Sequence, residues 1–153
     1  MNVSQTILLV DDSENDLELM RIAFKKAEFN NPLREVRNGA EAIAYLKGEG
    51  VYSDRNAYPL PAVMLLDLNM PMQNGFDVLE WVRTQPSLKR MTVIVLSAST
   101  RIEDVERAFD LGANSFLVKP SALDQLVTMS SRLRDWLEIN HFPPLNQSTK
   151  RMG

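Results

Sequence analysis

Four apolar residues, Val63-Met64-Leu65-Leu66, run straight into Asp67, and Pro71 follows shortly after. An apolar run of this length, closed by a turn signal, suits a strand buried on both faces, as in parallel sheets. A carboxylate at the end of such a strand is costly to bury unless a charged group meets it. The chain supplies candidates in equivalent places: Asp11-Asp12 after Thr6–Val10, Ser97 after Thr92–Leu96, and Lys119-Pro120 after Ser115–Val118.

Between these runs the apolar spacing turns helical. Leu17, Met20, Phe24 and Ala27 share a face at intervals of three and four, with Ser13 or Asp12 placed to cap the helix. Pro32–Val36 mixes charges into a short strand, which predicts a sheet edge. Asn38-Gly39 turns the chain into a helix carrying Ala42, Ile43 and Leu46. Lys47 to Pro61, with Gly48, Gly50, Pro59 and Pro61, reads as a long surface loop. Gly75 leads into a helix with Phe76, Leu79 and Val82 inward, ending near Gln85-Pro86 because the residue before a proline resists helical geometry. Ile102 to Leu111 is a short helix that Gly112 stops. A last helix starts near Ser121, carries Leu123, Leu126, Leu133 and Leu137 on one stripe, and ends at Pro143-Pro144.

Strand and helix thus alternate along the whole chain, which predicts an α/β fold with a parallel sheet covered by helices on both faces. Ligands of such sheets bind beyond the carboxyl ends of the strands. Asp12, Asp67, Ser97 and Lys119 therefore converge on one rim. Each alone has a bland reading, since an acid after a strand is more often a helix cap; four strand ends with complementary chemistry are harder to dismiss.

The 153 residues suit one domain with a real core, about 5–139, followed by a tail over 140–153. No apolar run approaches the roughly 20 residues of a membrane span, and the first residues lack a secretory pattern. The absence of cysteine excludes disulfides and thiolate metal sites, and a net charge of −3 argues against nucleic-acid binding. A cytoplasmic protein is the expectation. The lone histidine, His141, is read as a surface or capping residue, and Trp81 and Trp136 as packing residues, Trp136 with a possible interface role.

Crowded carboxylates cannot all stay ionised without a cation, and Mg2+ takes oxygen ligands while keeping several waters. Asp12 and Asp67 are its candidate direct ligands, Asp11 a direct or water-mediated one, and the backbone carbonyl of Asn69 a further one. Asp67 is then the candidate nucleophile for a phosphoryl group. Lys119 would neutralise a second phosphoryl oxygen, and the Ser97 hydroxyl with a nearby amide would take a third.

Leu9-Val10-Asp11-Asp12, Asp67-Leu68-Asn69-Met70-Pro71 with Gly75, Leu96-Ser97-Ala98 and Phe116-Leu117-Val118-Lys119-Pro120, in this order, resemble the receiver domain of two-component response regulators over about residues 5–139. The resemblance implies a flavodoxin-like, doubly wound parallel sheet of five strands in the order 2-1-3-4-5. It implies phosphorylation of Asp67 by a sensor histidine kinase, catalysed by the receiver with Mg2+. It further implies a switch in which Ser97 and Phe116 move together, a structural Gly75, and a cis bond before Pro120. The long 47–61 connection and the lack of a second domain resemble the small single-domain regulators paired with bacterial and cyanobacterial phytochromes, whose chromophore belongs to the kinase. For such a regulator, a homodimer is the expected output form.

Three rivals are weaker. A phosphatase with an aspartyl nucleophile commonly carries an acid two residues on, where this chain has Asn69. A flavin carrier needs a phosphate loop where Asp11-Asp12-Ser13-Glu14 would repel phosphate. A degenerate scaffold receiver would not need the full set of Asp11, Asp12, Asp67, Ser97 and Lys119.

Overall fold

The computed structural model describes residues 5–70 and 74–145. Five parallel strands form one sheet: β1 (Ile7–Val10), β2 (Leu33–Val36), β3 (Val63–Leu66), β4 (Thr92–Ser97) and β5 (Ser115–Val118), in the order β2-β1-β3-β4-β5. The helices are α1 (Glu14–Lys26), α2 (Gly39–Lys47), α3 (Gly75–Thr84), α4 (Ile102–Asp110) and α5 (Leu123–Glu138). This is the flavodoxin-like arrangement, with β2 at an edge as its mixed charge predicts.

The continuous apolar runs follow from this layering. Ile7 and Leu9 of β1, with Val63 and Leu65 of β3, pack against α1 and α5, while Leu8, Val10, Met64 and Leu66 pack against the α2, α3 and α4 side. Strands with two buried faces leave no position for a polar residue until they end. That ending is what puts Asp11 and Asp67 at the carboxyl rim.

Local chemistry sets the helix boundaries. Ser13 caps α1 by accepting the Asp16 N–H at 3.2 Å, and Asn38 and Asn74 cap α2 and α3 in the same way. Gly112, at φ 106°, follows α4 in a conformation that a side chain would strain.

Three expectations need correction. Residues 47–61 are not a plain loop: Gly50–Ser53 forms a 3₁₀ turn, and Tyr45, Tyr52 and Tyr58 cluster with ring centroids 5.0–6.0 Å apart. This cluster makes Tyr45, rather than Ile43, the buried residue beside Ala42 and Leu46 on α2. The last helix begins at Leu123 and ends at Glu138, well before Pro143-Pro144; beyond it, Phe142 packs against one core layer and Leu145 against the other. Among the described residues, no helix is long and apolar enough to cross a membrane.

Candidate functional site

Parallel register fixes the site. Val10 of β1 lies beside Val36 and Leu66, and Ser97 of β4 beside Val118, so the residues that follow these strands share one rim. Carboxylate oxygens of Asp11, Asp12 and Asp67 all lie within 4.8 Å of one another. Asp11 and Asp67 are buried and Asp12 is exposed, so the cluster reaches solvent at Asp12.

Asp11 is held from two directions: it accepts the Ser13 N–H at 2.9 Å and the Lys119 ammonium at 2.7 Å. Asp67 accepts a longer bond from the Asn69 N–H, at 3.4 Å. Burial pushes the Asp67 carboxyl up to about 6; the Lys119 charge pulls it down, Asp11 raises it, the Asn69 N–H lowers it and Asp12 raises it. For Lys119, burial disfavours the ammonium. The Asp11 bond, the charges of Asp67 and Asp11 and the Asp16 bond outweigh that, and the net shift is upward. An all-oxygen donor set with surplus, partly desolvated negative charge fits a hard divalent cation.

Ser97 is fully buried at the end of β4, where its hydroxyl accepts the Ser99 N–H at 3.1 Å. The Lys119 N–H donates to the Ser97 carbonyl at 2.7 Å, which locks the ends of β4 and β5 together. Phe116 is half-buried against the α2/α3/α4-side core. Pro120 follows Lys119 through a trans bond: no cis peptide occurs among the described residues, correcting the expectation drawn from resemblance. Trans is the isomer an X–Pro bond intrinsically prefers. Gly75 donates its N–H to the Leu68 carbonyl at 3.1 Å, and a Cβ there would collide with the Asp67 carbonyl oxygen and lie 2.8 Å from Leu68 Cα. Pro71 lies outside the described residues.

One participant escaped sequence reasoning. Asp16, in the first turn of α1, accepts a second bond from Lys119 at 3.1 Å. In the sequence it is one more acid suited to a helix dipole; its only other signal is its place one helical turn past Asp12.

Residues 7–131 match the family model of the response regulator receiver domain. Response regulator Rcp1 of Synechocystis sp. is 35% identical over 143 residues, which cover 93% of this chain and 95% of Rcp1. The solved structure of the phosphorylated cyanobacterial phytochrome response regulator RcpA superposes with a TM-score of 0.83 at 34% identity, over 92% of this chain and 99% of RcpA. The Mn2+-bound form of Rcp1 does so with a TM-score of 0.80 at 35% identity, over 91% of this chain and 99% of that one. Fold, acidic rim and these likenesses together make the chain a member of the response regulator receiver domain family, similar to the response regulators of phytochromes.

Proposed function

We propose that this chain is a single receiver unit that accepts a phosphoryl group on Asp67 from a sensor histidine kinase, in the cytoplasm, and passes the signal on by changing partners. The observation that carries the reading is the buried Asp67 carboxylate at a strand end, facing two further acids and close to the Lys119 charge. Asp11, Asp12, Asp67 and the Asn69 carbonyl are the residues that would hold Mg2+. The bound ion would neutralise charge on the transferring group.

An Asp67 oxygen attacks phosphorus as the phosphohistidine P–N bond breaks, and the electron pair leaves with the imidazole nitrogen. Lys119 offers its ammonium to one phosphoryl oxygen, and Ser97 its hydroxyl to another. Water later attacks phosphorus, restores the carboxylate and releases phosphate. The chain is a signalling protein that promotes both steps on itself rather than an enzyme turning over an external substrate. Likeness to the regulators of cyanobacterial phytochromes favours a phytochrome as the kinase. The surface for partners is the face of α4, β5 and α5, where Ser97 turning toward the phosphate lets Phe116 move inward.

The test is incubation with Mg2+ and acetyl phosphate, with the label located by mass spectrometry. A single label on Asp67, absent in Asp67→Asn and in EDTA, is the expected result. Labelling of that variant at another aspartate, or indifference to EDTA, overturns the assignment. Turnover of a generic phosphate ester would restore the phosphatase reading.

A further inference from the structure

We propose that Asp16 is a positioning residue that holds the Lys119 ammonium in competition with an incoming phosphoryl oxygen and so restrains uptake of the phosphoryl group. The inference rests on the reading of Asp67 as phosphoacceptor and assigns a regulatory part to a carboxylate outside the acidic trio.

The Lys119 ammonium has three N–H donors. One goes to Asp11 at 2.7 Å and a second to Asp16 at 3.1 Å. The two acceptors come from one short stretch of chain: Asp11 directly follows β1, and Asp16 sits in the first turn of α1. Asp16 is held in place from behind, its N–H bonded to Ser13 Oγ at 3.2 Å. Its side chain is 36% exposed where that of Lys119 is 11% exposed, so it forms the outer, wetter end of a bridge whose other end is buried.

The two acceptors are not equivalent. Asp11 belongs to the cluster that fits a divalent cation, and a cation held there would weaken its pull on the ammonium. Asp16 is outside that cluster, so a cation held there would leave the Asp16–Lys119 bond in place. Asp16 is then the anion that competes with a phosphoryl oxygen for Lys119, and its charge also repels the incoming anion. Removing the charge while keeping the shape acts on both effects in one direction.

Asp16→Asn and Asp16→Glu in the full chain provide the test, with Mg2+ alone and Mg2+ plus beryllofluoride as probes by calorimetry, and acetyl phosphate labelling followed by mass spectrometry. Asp16→Asn is expected to bind beryllofluoride about twofold to fivefold tighter and to label faster by a similar factor, the size of a partly exposed ion pair. Its affinity for Mg2+ alone is expected to stay level or fall, because one nearby negative charge is gone. Asp16→Glu, which restores the charge, should return toward wild type. A purely structural Asp16 would lower both affinities together with the melting temperature, and that result overturns the inference. So does an Asp16→Asn protein that matches wild type while wild type itself binds beryllofluoride and labels. A wild-type chain that takes up neither probe overturns the phosphoacceptor reading and this inference with it.

Discussion

Asp67 carries a carboxyl held at about 6, above the 3.8 of an unperturbed aspartate. Between those values the folded chain binds a proton that the unfolded chain has lost, so stability falls as pH rises through this window. Above pH 6 the penalty is complete, at most about 3 kcal/mol from a shift of this size. Asp67→Asn should therefore melt higher than wild type at pH 7 without metal, and the gap should close as pH falls from 6 to 4. Adding Mg2+, which binds the ionised native site, should narrow the gap at pH 7; thermal melts at several pH values with and without the ion check each statement. Gly75 is constrained differently, by contact. Gly75→Ala pushes a methyl into the Asp67–Leu68 backbone, and a loss of several kcal/mol in chemical denaturation is expected, because backbone cannot step aside as a side chain can. At this scale the sequence showed which residues end the strands, because a charge closing an apolar run is conspicuous. It did not show Asp16, whose role depends on where a lysine 103 positions away places its ammonium.

The elements themselves were legible where burial on both faces writes an uninterrupted apolar run, as in β1, β3 and β4. The 47–61 segment was not, because its order comes from side chains meeting across the chain rather than from a period. Arg55 illustrates the point. Its guanidinium donates to the carbonyls of Tyr45 at 2.8 Å, Leu46 at 2.9 Å and Tyr58 at 3.1 Å, closing the end of α2 onto the insertion. The Tyr45 hydroxyl completes the clasp by donating to the Pro59 carbonyl at 2.8 Å. Arg83 does similar work elsewhere, donating to the carbonyls of Lys89, Met91 and Gly112 and so tying the end of α3 to the turn before β5. No pattern of apolar residues announces an arginine that serves carbonyls. Arg55→Ala should lose about 1–3 kcal/mol by removing a donor shared by three partly buried carbonyls, and limited proteolysis should open first within 48–60. The insertion precedes β3 whereas Asp67 follows it, so phosphorylation of that variant by acetyl phosphate should proceed at the wild-type rate. A slowed rate would mean that the two ends of the sheet are coupled.

Across the whole molecule, the two helical layers are unequally finished. On one side α1 and α5 pack closely against each other and the sheet. On the other, α4 buries only Ala108 and leaves Ile102 63% and Phe109 48% exposed, while Val118 of β5 is 51% exposed. Arg107 of α4 rests over the Phe76 ring at 4.2 Å, a contact with α3 that leaves this outer stripe uncovered. Ile102 and Phe109 fall on one helical face at a spacing of seven, as a partner-facing stripe would. The sequence indicated this helix but not its shallow seating, since an apolar stripe reads the same whether a sheet or a partner covers it. A second copy pairing through this face would bury Phe109 twice about a two-fold axis. Burying the exposed half of a Phe side chain is worth on the order of 2 kcal/mol per copy at about 25 cal/mol per Å2. Phe109→Glu removes that gain and adds a like-charge contact, so the dimerisation constant should fall on the order of 100-fold or more. Sedimentation of unmodified and phosphorylated protein, each with and without the substitution, reads the effect directly. A phosphorylated dimer that Phe109→Glu returns to monomer is the expected outcome. Identical monomeric profiles in all four samples would remove self-association and leave a different protein as the reader of the switch.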